Sequence, residues 1–236
     1  MTILNIETST SCCSVAITVD GQAVASVANL QGANHASELP VFIEQMLQTA
    51  HQEGWEIEAL ALSQGPGSYT GLRIGASMAK GLCYGRNIPL IPVDTLQVLC
   101  VAATHHIQSQ GQTIPDHALL CPMLDARRME VYTALYNHQA VRTTEIEAKI
   151  IDPTSYQELL DQQTIYFFGN GSNKCKDVIG SDHAHFIDSI VPQAQYMGVL
   201  AEQNAPLDIK QIAYYEPFYL KEFVAAPSHV KGLETK

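Results

Sequence analysis

The sequence predicts an α/β fold with two lobes, each built from a β-meander followed by alternating strands and helices. The chain opens with three β-rich runs, and the dipeptide Asp20-Gly21 between the second and third is a tight hairpin signal. Strand and helix patterns then alternate over residues 57–105, as in a sheet with a parallel edge. Residues 118–204 repeat this scheme more weakly, which indicates a duplicated fold without a visible repeat in the sequence.

The first lobe begins with the meander, whose runs occupy residues 2–7, 12–19 and 22–30. Ser37 is then expected to cap a helix in which Pro40 is tolerable, because it falls in the first turn. The apolar residues of this helix have the spacing of one buried helical face: Leu39, Phe42, Ile43, Met46, Leu47 and Ala50.

The rest of the first lobe is organised around a glycine-rich stretch. A short buried strand is expected at residues 57–62 and another at 88–94, with SQGPGSYTGLRIGASMAKGL between them. A helix from Thr95 to about His105 follows. The polar run after it breaks the pattern, so we expect the lobe boundary there.

The second lobe is predicted from weaker patterns. We assign residues 1–106 to the first lobe and 107–236 to the second, whose last helix or tail can pack back on the first lobe. The predicted elements are a hairpin of residues 118–124 and 129–136 across DARR, a strand near 145–151, a helix starting at Asp152-Pro153-Thr154, a strand at 164–169 and a helix at 198–204.

Composition restricts the possible partners and the compartment. The 236 residues carry a net charge of -11, which opposes an unaided grip on nucleic-acid phosphates or on an anionic membrane. The six cysteines form no C-x-x-C pair, so they are expected to be small core residues in a reducing compartment. The sequence contains no signal-peptide pattern and no apolar run of membrane-spanning length. We therefore expect a cytoplasmic protein.

An acid and three hydroxyl residues lie between the first two strands: Glu7, Thr8, Ser9 and Thr10. Such a turn can direct backbone N–H groups and hydroxyls at a phosphate. Polar turns of this kind also commonly bond their own backbone. Taken alone, the composition favours the second interpretation.

The glycine-rich stretch matches no nucleotide fingerprint, because it lacks both G-x-G-x-x-G and the Walker spacing. In the helix that follows, Gly71, Gly75 and Ala79 recur every four residues. This small-residue stripe permits the close approach of another backbone, and Ile74, Met78 and Leu82 add apolar bulk on the adjoining face. The covering surface is either the chain's own sheet and first helix or a second molecule, and the residues alone leave both open.

Metal and hydrolase motifs are missing. His183 and His185 lack a clear third ligand, which favours a solvated loop over a metal site. There is no nucleophile elbow G-x-S-x-G and no H-E-x-x-H.

Four segments together resemble the TsaB family: ILNIETSTSCCSVAI, HASELPVFIEQML, LALSQGPGSYTGLRIGASMAKGLCYGRNIPLIPVDTL and MLDARRMEVYTALY. The resemblance covers residues 3–136, and the segment YYEPFYLKEF (214–223) is similar to the family's ending. It implies an ASKHA fold, the two-lobed scaffold of actin, hexokinase and Hsp70-type ATPases. It also implies a non-catalytic dimerisation subunit for the synthesis of N6-threonylcarbamoyladenosine beside the tRNA anticodon.

The resemblance also implies a catalytic paralogue, TsaD, which holds a metal through H-x-x-x-H. Thr95 and Leu99 stand at the positions that match those two histidines, and neither replaces an imidazole. The paralogue's second phosphate turn is a Ser-Gly-Gly run, whereas the matching turn here is Asp125-Ala126-Arg127-Arg128. The family resemblance therefore predicts no catalytic residue, no metal and no cofactor in this chain.

The family's two first-lobe helices pack against the same pair of a second molecule, either TsaD or another TsaB. The resemblance thus implies a heterodimer with TsaD, a homodimer when the chain is alone, a TsaE-type ATPase as a further partner, and tRNA bound only through the complex. The alternatives are a small-molecule kinase or ATPase of the same fold and, more remotely, a metallopeptidase. The expected interface residues are Leu39, Phe42, Ile43, Met46, Gly71, Gly75, Met78 and Leu82.

Overall fold

The computed structural model describes residues 1–30, 32 and 34–221, and its first sheet has the predicted meander with a parallel edge. The order is β3-β2-β1-β4-β5, with antiparallel pairing within the meander and parallel pairing from β1 to β4 and β5. Runs of β-branched and small apolar residues build β1, β2 and β4, which are buried on both faces, whereas the edge strand β3 has no buried residue. The strands are β1 (Thr2–Glu7), β2 (Cys13–Val19), β3 (Gln22–Asn29), β4 (Ala59–Gly65) and β5 (Leu90–Asp94).

The second sheet repeats this strand order. Its central path is β9-β7-β6-β10-β11, antiparallel from β9 to β6 and parallel from β6 to β11, and β8 also pairs with β6. The repetition confirms the predicted two-lobed ASKHA fold and the hairpin across DARR. The strands are β6 (Leu119–Asp125), β7 (Glu130–Thr133), β8 (Tyr136–Asn137), β9 (Glu147–Ile150), β10 (Ile165–Phe168) and β11 (Ala184–Ile187).

The long helices all follow first-lobe strands: α1 (His35–Glu53), α2 (Tyr69–Arg86) and α3 (Thr95–Ser109). The predicted cap of α1 at Ser37 is wrong. Asn34 is the N-cap and its carbonyl accepts from the N–H groups of Ser37 at 3.1 Å and Glu38 at 3.0 Å, so the helix starts earlier. Pro40 consequently lies in the second turn, where its exposed ring faces solvent.

Helix α3 runs to Ser109, beyond the predicted end near His105, and lies between the two sheets. Leu96 and Leu99 belong to a buried cluster that includes Phe168 of the second sheet. Val98 packs instead with first-sheet residues such as Val93. Because both faces of α3 are covered, its apolar residues hold the lobes together.

The second lobe has only short helices: α4 (Gln157–Leu160), α5 (Gly198–Ala201) and α6 (Ile209–Tyr214). The helix predicted to start at Asp152 starts only at Gln157, because the Asp152 carboxylate accepts from the Thr154 N–H at 2.9 Å and from the Ser155 hydroxyl at 3.0 Å. These local bonds make a turn that competes with a helix. The late helix exists but ends at Ala201, three residues early, and α6 has no counterpart in the sequence-based prediction.

The chain returns to the first lobe after β11. Met197 and Leu200 are buried in the same cluster as Ile3, and the Phe218 N–H donates to the Gln64 carbonyl at 2.7 Å. Residue Ile212 of α6 joins the main first-lobe core. The division of the chain at residue 106 stays a prediction, and residues 222–236 lie outside the described part.

A buried polar clasp joins the lobes at the start of α3. Asp94 accepts the Leu96 N–H at 2.8 Å, the Tyr136 hydroxyl at 2.9 Å and a guanidinium N–H of Arg142 at 3.4 Å. Burial raises the pKa of Asp94, and these three donors act against that rise. The carboxyl thus depends on second-lobe groups for its hydrogen bonds.

We expect Tyr136→Phe to destabilise the protein by about 2 kcal/mol, because it leaves a buried carboxyl oxygen short of a strong donor. Urea denaturation at pH 7 measures this change. Tyr214→Phe is the matched control, since that ring is 88% exposed, and its effect is expected to stay within about 0.5 kcal/mol. Equal stability of the two variants would show that the hydrogen bond from Tyr136 to Asp94 contributes nothing to the free energy of unfolding.

All six cysteines are free and buried, as expected of small core residues. Within the described ranges, the model contains no helix with the length and apolar character needed to cross a membrane.

Candidate functional site

The eight residues predicted to meet a partner lie on α1 and α2, but the chain itself buries most of them. Phe42, Met78 and Leu82 are partly buried and pack at the edge of the first-lobe core. The other five are buried: Leu39, Ile43, Met46, Gly71 and Gly75. Their contact with a second molecule stays a prediction, and of these five Ile43 also lines an open groove between the two helices.

The two glycines face the turn after β1. A Cβ on Gly71 would lie well under 3.0 Å from the Thr8 carbonyl oxygen, and one on Gly75 equally close to the Thr8 hydroxyl. That hydroxyl donates to the Gly71 carbonyl at 2.9 Å. The close approach that this small-residue stripe permits is thus made by the chain's own sheet.

A second small-residue stripe on α2 is open. Ser77, Gly81 and Gly85 also recur every four residues, and a Cβ on either glycine would meet nothing within 4 Å. Tyr84 beside them is 78% exposed. The sequence analysis missed this stripe, although the same spacing rule applied to the next face of the helix would have found it.

A shallow groove between α1 and α2 borders the open stripe. Leu47 and Met78 form its apolar part, and Glu44, Gln48 and His51 form its polar wall. Partly buried apolar side chains next to an open glycine stripe allow two helices of another molecule to pack closely here. We call this surface, made of Phe42, Leu47, Ser77, Met78, Gly81, Leu82, Tyr84 and Gly85, the outer helical face.

The turn after β1 is closed by local bonds. The Ser9 N–H donates to Glu7 Oε1 at 2.5 Å, and the Cys12 N–H donates to the Thr10 hydroxyl at 3.2 Å. The glycine-rich loop covers the turn, with the Ser68 N–H donating to the Ser9 carbonyl at 2.6 Å. The turn therefore bonds itself in part, as its composition favours: the N–H groups of Thr8, Ser9 and Cys12 all have partners within the chain.

Glu7 is an acidic residue whose carboxyl group is buried in this turn. Its side chain is fully buried, and Oε2 has no hydrogen-bond partner among the described residues. Burial raises the pKa of Glu7 from an ordinary 4.5 to about 7, while bonds from Ser9 and Ser63 oppose the rise. The carboxyl is thus close to half protonated at neutral pH.

The turn between β6 and β7 is closed differently. The Asn170 side chain accepts the Asp125 N–H at 2.9 Å, and the Lys174 ammonium pairs with the Asp125 carboxylate. Arg127 and Arg128 both have positive φ, 73° and 49°, with exposed side chains. A lysine and an acid therefore fill the space over this turn, in place of an open glycine nest.

Thr95 and Leu99 have structural contacts. The Thr95 hydroxyl accepts the Gly65 N–H at 3.1 Å, and Leu99 is fully buried between the lobes. In the described part of the chain, no three His, Cys, Asp or Glu side chains are grouped so that they could hold a metal ion. The candidate site is therefore the outer helical face.

Comparison with known proteins agrees with this arrangement. A family model described as TsaD: tRNA N6-adenosine threonylcarbamoyltransferase matches residues 26–225. The tRNA threonylcarbamoyladenosine biosynthesis protein TsaB of Escherichia coli is 30% identical over 233 residues, which cover 95% of this chain and 96% of that protein. The chain belongs to the TsaB family. The TsaB protein of Haemophilus influenzae is 28% identical over 242 residues, with 95% of each chain covered.

A transferase relative matches over a shorter part of the chain than the two TsaB proteins above. The tRNA N6-adenosine threonylcarbamoyltransferase of Geobacter metallireducens is 30% identical over only 113 residues, or 41% of this chain and 33% of that protein. The solved structure of YeaZ from Pseudomonas aeruginosa has a TM-score of 0.72 at 23% identity and covers 93% of this chain and 99% of that one. The two chains therefore share one fold over nearly their whole lengths.

Proposed function

We propose that this chain is a non-catalytic subunit that pairs with a TsaD-type transferase in the N6-threonylcarbamoyladenosine modification of tRNA next to the anticodon. The observation that carries the proposal is the outer helical face, where two glycines are open, a tyrosine is 78% exposed and apolar side chains are only half covered. A partner's helix pair fits such a surface. Family membership supplies the reaction in which the pair takes part.

The proposal that the chain does not itself catalyse rests on its two turns and on α3. Both turns are filled by the chain's own groups, and Thr95 and Leu99 have structural contacts. A kinase or ATPase needs phosphate turns whose backbone N–H groups reach the nucleotide. The kinase alternative therefore has no observation in its favour.

The partners follow from the same surface. The transferase or a second copy of this chain competes for the outer helical face, so the homodimer forms when the chain is alone. The TsaE-type ATPase joins the assembled pair, and tRNA is reached only within that complex. We place this assembly in the cytoplasm, away from membranes.

Gly81→Arg tests the proposed contact. The monomer tolerates the change, because nothing lies within 4 Å of the Cβ position, but a long charged side chain then blocks a partner helix. We expect affinity for the transferase to fall at least tenfold, about 1.4 kcal/mol, with unchanged melting temperature. Isothermal titration measures the affinity, and light scattering follows the homodimer in the same samples.

Gly180→Arg is the matched control, since it introduces the same side chain at another open glycine, in the second lobe. It should bind the transferase like the wild type. Wild-type affinity of Gly81→Arg would contradict the proposed interface. Full tRNA modification by the transferase and the carbamoyl-adenylate synthase without this chain would contradict the proposed function.

A further inference from the structure

A second groove runs between α2 and the returning C-terminal segment, on the flank of α2 away from α1. Its lining combines tyrosines and cations: Tyr69, Arg73 and Lys80 from α2, and Tyr215, Tyr219 and Lys221 from the returning segment. Pro217 and Ala76 form part of the floor. Nothing in the proposed pairing through the outer helical face uses these residues.

The aromatic rings and one cation form a compact group. The ring centroids of Tyr69 and Tyr219 are 4.9 Å apart. The Arg73 guanidinium lies 5.3 Å from the centroid of the Tyr69 ring and donates to the Tyr69 hydroxyl at 2.9 Å. These contacts hold the Arg73 side chain and both rings along one wall, so little side-chain freedom is lost when a ligand binds.

The lining of the groove carries more positive than negative charge, although the protein as a whole is acidic. Within the described part of the chain, Arg73 and Lys80 have no acidic partner, and Lys80 donates to the Ala213 carbonyl at 3.2 Å. Glu216 is the single acid among the lining residues. A chain with a net charge of -11 thus has a local excess of cations here, which fits a ligand with several negative charges.

The positive surface continues into the second lobe. The Lys221 ammonium pairs with Glu130, the first residue of β7, and the turn just before it presents Arg127 and Arg128. Two consecutive non-glycine residues with positive φ are in a conformation that L residues rarely adopt. The Asp125 carboxylate, which accepts the Arg127 N–H at 3.1 Å, holds this conformation. A long anion can therefore contact both lobes.

We propose that this groove binds a single-stranded segment of RNA, with a base stacked against the tyrosines and phosphates on Arg73 and Lys80. The inference rests on the proposed function, in which a tRNA loop is brought to the complex. Stacking on aromatic rings beside cations is how proteins hold unpaired nucleotides, and guanidinium groups match phosphate geometry. An acidic protein segment would satisfy the cations but would make no use of the aromatic wall beside them.

The experiment uses the assembled complex of this chain with its transferase, and a synthetic anticodon stem-loop RNA as the probe. Binding is measured by fluorescence anisotropy over a series of KCl concentrations. The double variant Arg73→Gln/Lys80→Gln should reduce the slope of log K against log salt by about 1.4, because each lost phosphate contact on a single strand contributes about 0.7. Its affinity at low salt should fall at least tenfold.

Tyr219→Leu separates stacking from charge. Loss of one stacked base should weaken binding about tenfold while the salt slope stays unchanged. Arg86→Gln is the control, since it removes a cation from the same helix at its last residue, outside the groove, and should leave both affinity and slope at wild-type values.

The inference is overturned if the double variant assembles and melts like the wild type and also binds the RNA with wild-type affinity and slope. It is equally overturned if the double variant loses only the ATPase partner and keeps the RNA. Failure of the wild-type chain to join the transferase would instead be a failure of the proposed function, and this inference would fall with it.

Discussion

Gly71→Ala should destabilise the protein by about 4 kcal/mol or more, a large part of the stability of a domain of this size. The added methyl group would lie well under 3.0 Å from the Thr8 carbonyl oxygen, which belongs to the backbone of a buried turn. Thr8 cannot move aside easily, since its hydroxyl donates to the Gly71 carbonyl and its N–H donates to the Ser63 hydroxyl. Helix α2 must therefore shift away from the sheet.

Gly81→Ala on the same helix is the matched control for this prediction. Its Cβ meets nothing within 4 Å, so the change should stabilise the monomer by about 1 kcal/mol through helix propensity alone. Urea denaturation of both variants measures how each added methyl group changes the free energy of unfolding. Similar stability changes for Gly71→Ala and Gly81→Ala would mean that the contact with Thr8 does not constrain the helix.

Glu7→Gln should raise the stability at pH 8 by about 2 kcal/mol and flatten its dependence on pH. The folded protein holds the Glu7 proton up to a pKa of about 7, whereas the unfolded chain releases it near 4.5. Wild-type stability therefore falls as the pH rises between these values, by at most about 3 kcal/mol, and the loss is complete above pH 7. Glutamine stays neutral throughout, so the variant should lack this part of the dependence on pH.

The measurement is the free energy of unfolding at several pH values from 5 to 8.5, for the wild type and for Glu7→Gln. Glu53→Gln is the control, because this exposed residue ends α1 and the change removes the same charge. Its pH profile should run parallel to that of the wild type. A Glu7→Gln profile that falls as steeply as the wild-type profile would assign the pH dependence to other groups.

The duplication of the fold has a short sequence signature that the sequence analysis did not find. Gly65-Pro66-Gly67-Ser68 begins at the last residue of β4, and Gly169-Asn170-Gly171-Ser172 follows β10, the matching strand of the second sheet. The first glycine of each has positive φ, 109° and 100°. The second glycine lies tightly against Ser9 just after β1 in one copy and against the end of β6 in the other. Four residues in each copy are too few to be recognised before the strand order is known.

Local patterns determined the strands, the two hairpins and the long first-lobe helices. These features depend on neighbouring residues, whose side chains alternate with a period of 2 or 3.6. That Thr95 and Leu99 replace a histidine pair came from the family resemblance. The helix predicted from Asp152 starts only at Gln157, because a few side-chain bonds were enough to make a turn before it. Local competition of this kind decides short elements.

The tertiary structure alone decided which side of α2 the chain itself covers and which side it leaves open. The sequence offers two stripes of small residues on this helix, Gly71/Gly75/Ala79 and Ser77/Gly81/Gly85, and helical periodicity treats them alike. Thr8, more than sixty residues earlier, fills the first stripe, and the second stays open. Periodicity shows that a face exists, but burial depends on what the rest of the chain packs against it, and that contact is not encoded in the helix itself.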